Sequence, residues 1–456
     1  MADHCAPDSD LLALHALHPA RYPYLLESVV HGTPAARYDI LFAFPGATLE
    51  LADLITLRGP AVEGTNFLAQ LDRWWSAEQQ PRDTAAAAMP FRGGWFAYLG
   101  YELAAQIEPS LKLPTVRSGL PVAFATRIPA AIVRDHLTQS LHLIAEPGSE
   151  DLLARMREDV AALEKSTLEA SMSSAPLAWP GITLQEDSPR EFLDGVERIL
   201  RYIREGDVFQ VNLSRIWRGR CHASIDAAQV YRRLREYNPA PFAGLACHGA
   251  SAIISSSPER LVQVRGGVVT TRPIAGTRPR RENHSSDGLD TAALLAHPKE
   301  RAEHIMLIDL ERNDMGRVCV PGSVRVDELM SVESYAHVHH IVSGVRGELR
   351  PGTTPGEVLR AVFPGGTITG CPKVRCMEII AELERVPRGA YTGAMGYLNR
   401  DGDMDFNILI RTLIKEGDDI SLRAGAGIVA DSSPQRELEE TRAKARGLLR
   451  ALGSEP

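Results

Sequence analysis

The sequence predicts an α+β protein, and three observations carry that prediction. Alternating or β-branched runs occur in clusters, as in VFQVNLSRIW, AIISSS, GGVVTTRPI and ISLRAGAGIV. Helical stripes occur in separate blocks, with capping signals at their starts. The two kinds of run do not alternate regularly enough for a βαβ array.

In the N-terminal part, strand-like pieces cover Tyr38 to Phe44, Ala130 to Val133 and Leu141 to Ala145, and a helix covers Glu150 to Lys165. The Gly-aromatic segment FRGGWFAYLGYE lies at 91–102. No catalytic constellation is visible here, so packing and scaffolding are its expected work. Residues 166–187 form the one compositional break, a Ser/Ala/Pro-rich stretch without periodicity up to 181 that reads as a linker. It divides the chain into 1–165 and 188–453.

The second part opens with a helix that Ser188 can cap, Pro189 can start and Glu191 can close as a capping box. Phe192, Val196, Ile199, Leu200 and Ile203 supply its apolar stripe. Strands are predicted at 208–217, 252–257, 266–274, 406–414 and 420–429, and helices at 298–313, 372–384 and 434–451.

Composition excludes several classes. The 456 residues are 44% hydrophobic and 24% charged, which is ordinary for a globular chain and too apolar for disorder. With 58 acidic against 50 basic residues, the net charge of −8 argues against a nucleic-acid protein. No apolar run reaches the length of a membrane span. The N-terminus lacks a basic region followed by an apolar one, so no secretory signal is expected and a cytoplasmic location is. The 6 cysteines are scattered without a CxxC pair, which predicts free thiols rather than zinc or a disulfide framework.

Four constellations could carry chemistry. Glu300 and Glu303 are spaced i, i+3 near the start of one helix, and Glu437, Glu440 and Lys444 share one face of the last helix. Helix-dipole stabilisation and solvated charge explain such carboxylates by themselves, yet two helices could also clamp one Mg²⁺. FPGGTITGCPK at 363–373 is a Gly-rich turn before a helix whose first residue would be Pro372, a weak anion-site signal without P-loop spacing. Arg411 lies on the largely apolar run FNILIRTLI, on the face of Asn407 and Leu409 if the strand is regular, and needs an anionic partner. That partner is either a protein carboxylate or one from a ligand. The glycines of RAGAGIV would let a ligand approach the backbone. His337, His339 and His340 lie together, but neighbours on a strand face opposite ways, so one acid/base histidine fits better than a metal triad.

The second part resembles the chorismate-utilising enzymes, through GDVFQVNLS, SSSPERL, TTRPIAGTRPR, KERAEHIMLIDLERNDMGRV, VHHIVS, FPGGTITGCPKVRCMEII, GAYTGAMGY, MDFNILIRT, AGAGIVADS and ELEETRAKA in order. RYDILFAFPG and FRGGWFAYLGYE are similar to the N-terminal subdomain of the same enzymes. The resemblance implies two orthogonally packed β-sheets with helices outside, built by both halves of the chain. It also implies Mg²⁺ held by Glu303 and Glu440, with Glu300 and Glu437 completing the cage. A carboxylate site would be made by Tyr391, Arg411 and the Gly427 backbone, with Lys444 adding positive charge. Thr367 would lie over the substrate ring, Glu259 would be the general acid for the C4 hydroxyl, and His340 a second acid/base group.

Two positions bear on the reaction. Related isochorismate and salicylate synthases carry a water-activating lysine where this chain has Gln210, which cannot act as that base. Ammonia is then the expected nucleophile. Ala275 stands where some aminodeoxychorismate synthases carry a lysine, and alanine is the anthranilate synthase pattern. QVNLS, HHIVS, FPGGTITG and RYDILFAFPG resemble aminodeoxychorismate synthase component I, whose product leads to 4-aminobenzoate and folate. LLES at 25–28 resembles the tryptophan-pocket segment of anthranilate synthases. No segment resembles a glutaminase, so a separate glutaminase subunit is the expected ammonia source.

Overall fold

The computed structural model describes residues 4–5, 9–30, 37–60, 62–82, 88–115, 119–170, 179–222, 225–279, 298–334 and 338–454. Side chains are described for these except at 4–5, 166–170, 275–279, 298–300, 333–334 and 338–340.

Two antiparallel sheets, of 12 and 11 strands among the described residues, form the centre of an α+β fold. Both draw on both halves of the chain. In the first sheet Tyr24–Glu27 pairs with Phe242–His248, and in the second Gly94–Leu99 pairs with Ala394–Asn399. The sheets pack face to face through one apolar cluster that includes Tyr24, Phe42 and Ile253 from the first sheet and Phe96, Phe124 and Met395 from the second. The Tyr24 and Phe96 rings stack at 4.1 Å across this interface. Gly94–Leu99 shows why its sequence does not alternate in polarity. Phe96 and Tyr98 face the other sheet, whereas Trp95, Ala97 and Leu99 face the covering helices. With both faces buried, every side chain is apolar, and each large one contributes roughly 1.5–3 kcal/mol of transfer free energy.

Helices cover the outer faces. Asp151–Ala170, Ala227–Tyr237 and Pro434–Ala451 pack on the first sheet, whereas Phe67–Glu78, Pro298–Gly316 and Pro355–Val362 cover the second. Pro189–Glu205 and Lys373–Glu384 enclose a further cluster with Val211, Leu213 and Ile428. No helix among the described residues is long and apolar enough to cross a membrane. Cys221, Cys247, Cys319, Cys371 and Cys376 are free thiols.

Several local expectations are corrected. The helix 151–170 runs into the supposed linker, and Leu184–Glu186 is a strand paired with Gln210–Arg220. Ser188 is the N-cap residue of 189–205, but its side chain makes no capping bond, so proline and the apolar stripe start that helix without a capping box. Pro372 is the N-cap of the next helix rather than its first residue. The run 266–274 is two strands, Val268–Thr271 and Ile274–Pro279, separated at Pro273, which has no N–H for a ladder.

The largest correction concerns FNILIRTLI. It is not one strand. Met404–Ile408 pairs in the second sheet with Ala394–Asn399, whereas Thr412–Glu416 pairs in the first with Ser251–Ser257. Leu409, Ile410 and Arg411 make the passage between sheets, and Arg411 turns it with φ +53°. Arg411 therefore does not share a strand face with Asn407.

Candidate functional site

A second passage lies beside the first. Ser251–Ser257 belongs to the first sheet and Arg260–Arg265 to the second, with Pro258 and Glu259 between them. The two passages are stitched together: Ile408 N donates to Glu259 O at 3.0 Å, Ser257 Oγ donates to Ile408 O at 2.5 Å, and Ser256 N donates to Arg411 O at 3.1 Å. SSSPER and ILIRT thus deliver one acid and one guanidinium to the same edge of the sheet pair.

Arg411 is half-buried, and burial pushes its pKa down, against the opposing fields of Tyr391 and Glu440. Among the described residues its guanidinium makes neither an ion pair nor a hydrogen bond; only its carbonyl is engaged. A half-buried guanidinium without a protein partner among the described residues can take an anion from outside the chain. Tyr391, which burial pushes up to about 12, remains a neutral hydroxyl beside it. Lys444 adds a second cation. Its Nζ lies 2.6 Å from Glu440 Oε1 and donates to Gly425 O at 3.1 Å.

Glu259 is buried and pushed up to about 8, first by burial and then by the Glu311 carboxyl; Thr367, the Ile274 N–H and Lys444 act the other way without cancelling it. At neutral pH it is therefore a carboxylic acid with a proton to give. The Thr367 hydroxyl faces this carboxyl, and its buried oxygen has no well-formed hydrogen bond.

Gln210 and Gly427 meet on adjacent strands, where Asn212 pairs with Gly427 and Gln210 with Cys371. A Cβ at Gly427 would stand 2.8 Å from Gln210 Nε2, and one at Gly425 would stand 2.7 Å from Tyr391 Oη and 2.8 Å from Asn212 Oδ1. The space freed by these glycines is thus filled by the chain's own polar side chains. The backbone puts Ala275 opposite Ile341 and His340 opposite Thr277 on one ladder. The side chains of Ala275, His339, His340 and Glu300, and all of His337, lie outside the described residues.

Glu303 is on the helix 298–316, and Glu437 and Glu440 are on 434–451. Among the described residues no group of three His, Cys, Asp or Glu side chains converges as a metal cluster. The donor chemistry still fits Mg²⁺, a hard cation that commonly takes one or two carboxylates and completes its shell with water and substrate oxygen. Glu440 qualifies, since Lys444, which it meets at 2.6 Å, is an exchangeable partner.

The sequence reading missed a buried ionic brace. Glu384 lies 2.6 Å from Arg388 and 2.7 Å from Arg423. Burial alone would raise its pKa, but the two guanidiniums outweigh burial and hold it below the usual range. Arg388 also donates to Asn212 O at 2.7 Å and Ile368 O at 3.2 Å, which ties the strand of Gln210 to the turn of Thr367. Glu311 was missed as well, although His304, Ile308, Glu311 and Met315 fall on one helical stripe and the other three are buried. A glutamate on such a stripe was the available signal.

A separate cavity of about 420 Å³ opens between the sheets, lined in part by Glu27, Ser28, Phe242, Met395, Tyr397 and Asn407. The LLES segment contributes its last three residues, Leu26, Glu27 and Ser28.

The comparisons agree with this architecture. The family model described as chorismate binding enzyme matches residues 31–450. Anthranilate synthase component 1 of Thermus thermophilus is 41% identical over 94% of this chain and 92% of its own length. Aminodeoxychorismate synthase component 1 of Bacillus subtilis is 41% identical over 98% of this chain and 95% of its own. The crystal structure of anthranilate synthase component I from Streptococcus pneumoniae superposes with a TM-score of 0.76 at 33% identity, covering 92% of this chain and 94% of that one. With the shared sheets and the motif order, these matches place the chain in the chorismate-binding enzyme family.

Proposed function

We propose that the chain is component I of an aminodeoxychorismate synthase, a transaminase-class enzyme that replaces the C4 hydroxyl of chorismate with an amino group from ammonia. The observation that carries a chorismate site is Arg411, a guanidinium without a protein partner among the described residues, set beside Tyr391 and near Lys444. A dicarboxylate substrate supplies what that arrangement lacks.

In this reading Arg411, Tyr391 and the Gly427 backbone receive the enolpyruvyl carboxylate, and Thr367 lies over the ring. Glu259, protonated at neutral pH, gives its proton to the C4 hydroxyl, which leaves as water. Ammonia forms the new bond at C4, and His340 is the group assigned to take the excess proton. Glu303 and Glu440, with Glu300 and Glu437 around them, would hold Mg²⁺, which would supply Lewis-acid polarisation of the ring carboxylate. Gln210 supports ammonia over water as the nucleophile, because an amide is no general base. A glutaminase subunit provides the ammonia. The cavity at Glu27 and Ser28 is assigned to a tryptophan-like amino acid.

Ala275 favours a second reading, anthranilate synthase component I, in which ammonia enters at C2 and pyruvate is eliminated. Both readings need Arg411. Arg411→Ala should raise the KM for chorismate at least 30-fold, as losing one partner of a desolvated charge pair does, and Arg411→Lys should recover part of that loss. An unchanged KM in Arg411→Ala would remove the carboxylate assignment.

A further inference from the structure

Glu311 lies on the helix 298–316, pointing away from solvent, and the mechanism above does not use it. The Gly366 N–H and the Thr271 hydroxyl lie within the electrostatic reach of its carboxyl and favour its charged form. Glu259 meets the very next residue, Thr367, and the N–H of Ile274, three residues beyond Thr271. Glu311 thus abuts the short turn Gly366–Ile368 at Gly366, and the next residue of that turn, Thr367, faces Glu259. The turn is pressed against the helix: a Cβ on Gly366 would lie 2.3 Å from Leu310 Cδ2 and 3.5 Å from Glu311 Oε1.

The charges around the pair are unequal. Asp314, one turn further on, is neutralised by Arg317 and Lys373. Lys373 also faces Glu311, and Lys444 faces Glu259, so each carboxyl has one cation within its field. Asp314 is the carboxylate whose field acts on Glu311, and Glu311 is the one whose field acts on Glu259.

We propose that Glu311 is a positioning residue for the general acid: it holds the Gly366–Thr367 turn against Glu259, and its negative charge opposes loss of the Glu259 proton. Two carboxyls that interact in this way titrate as a pair. Burial and the Asp314 charge push Glu311 up to about 7, and burial and the Glu311 charge push Glu259 up to about 8, so a charge on one carboxyl opposes a charge on the other. Glu311 touches no reacting atom in this account.

The proposal rests on the chorismate reading and has its own test. The pH profile of chorismate consumption with ammonium salt and Mg²⁺ is measured for the wild type and for Glu311→Gln and Glu311→Asp. Glu311→Gln should move the alkaline limb about one pH unit toward acid, since a like charge has been removed, and Glu311→Asp should restore it. A fall in turnover with the limb unmoved would leave Glu311 a packing residue and overturn the proposal. Infrared titration covers the case in which the variant does not fold or the wild type does not turn over. The wild-type-minus-Glu259→Gln difference isolates the Glu259 carbonyl band. That band should shift as the pair loses its first proton, before it vanishes as the second is lost. A single disappearance with no earlier shift would overturn the coupling. No chorismate consumption by the wild type would overturn the functional reading alone.

Discussion

Glu259 and Arg411 occupy equivalent places on neighbouring segments: each stands where the chain leaves one sheet for the other. Ile408 N donates to Glu259 O at 3.0 Å, and Ser256 N donates to Arg411 O at 3.1 Å, so one pair of passages fixes both residues. The acid and the guanidinium are thereby held in short passages braced by backbone hydrogen bonds to each other's strands, the rigid placement that proton transfer and carboxylate binding require.

Glu259→Gln tests the acid. Turnover should fall about 10²- to 10⁴-fold while chorismate still binds. The wild-type rate should decline as pH rises through about 8, where Glu259 loses its proton. Stability carries the same signature. A carboxyl raised in the folded state stabilises the fold fully below its unfolded pKa, and that contribution is lost as pH rises through the folded value. Glutamine imitates the neutral acid, so the variant's Tm should exceed the wild type's above about pH 8, as calorimetry would show.

Gly425 and Gly427 should respond differently to alanine. At Gly427 the added Cβ meets the end of the flexible Gln210 side chain, which can move aside. The fold should survive with its Tm nearly unchanged, and the ammonia-dependent rate should drop. At Gly425 the Cβ meets the Leu213 carbonyl at 2.7 Å as well as Tyr391 and Asn212. That variant should lose roughly 1–3 kcal/mol of stability, measured by denaturant unfolding.

Glu384→Gln should destabilise the protein by about 3–5 kcal/mol, because two buried guanidiniums lose their counter-charge. The sign with pH is opposite to that of Glu259. A depressed carboxyl stabilises the fold above its unfolded pKa and loses that contribution as pH falls through its folded value. The gap between variant and wild type should therefore be full at neutral pH and close in acid.

Much of this was legible because the motifs are local. The helices 151–170, 189–205, 298–316, 373–384 and 434–451 lie close to where the sequence placed them, whereas 67–78, 227–237 and 355–362 were not read from it; Glu259, Arg411, Tyr391, Thr367 and Lys444 sit in segments whose order carries the family resemblance. The passage at Leu409–Arg411 was not legible, because an apolar run reads the same whether it stays in one sheet or crosses between two that share a core. The occupied glycine spaces at 425 and 427 depend on cross-strand register, which a single strand does not encode. In the Glu384–Arg388–Arg423 brace the i, i+4 pair of Glu384 and Arg388 was a visible signal, whereas Arg423 comes from a strand far along the chain and no spacing rule encodes its approach.

The most direct test of the central claim is product identity. The chain is incubated with chorismate, Mg²⁺ and ammonium salt, and half the sample then receives an aminodeoxychorismate lyase. The account predicts 4-aminobenzoate in the lyase half and none in the other. Anthranilate in both halves would contradict it and mean that Ala275 marks amination at C2.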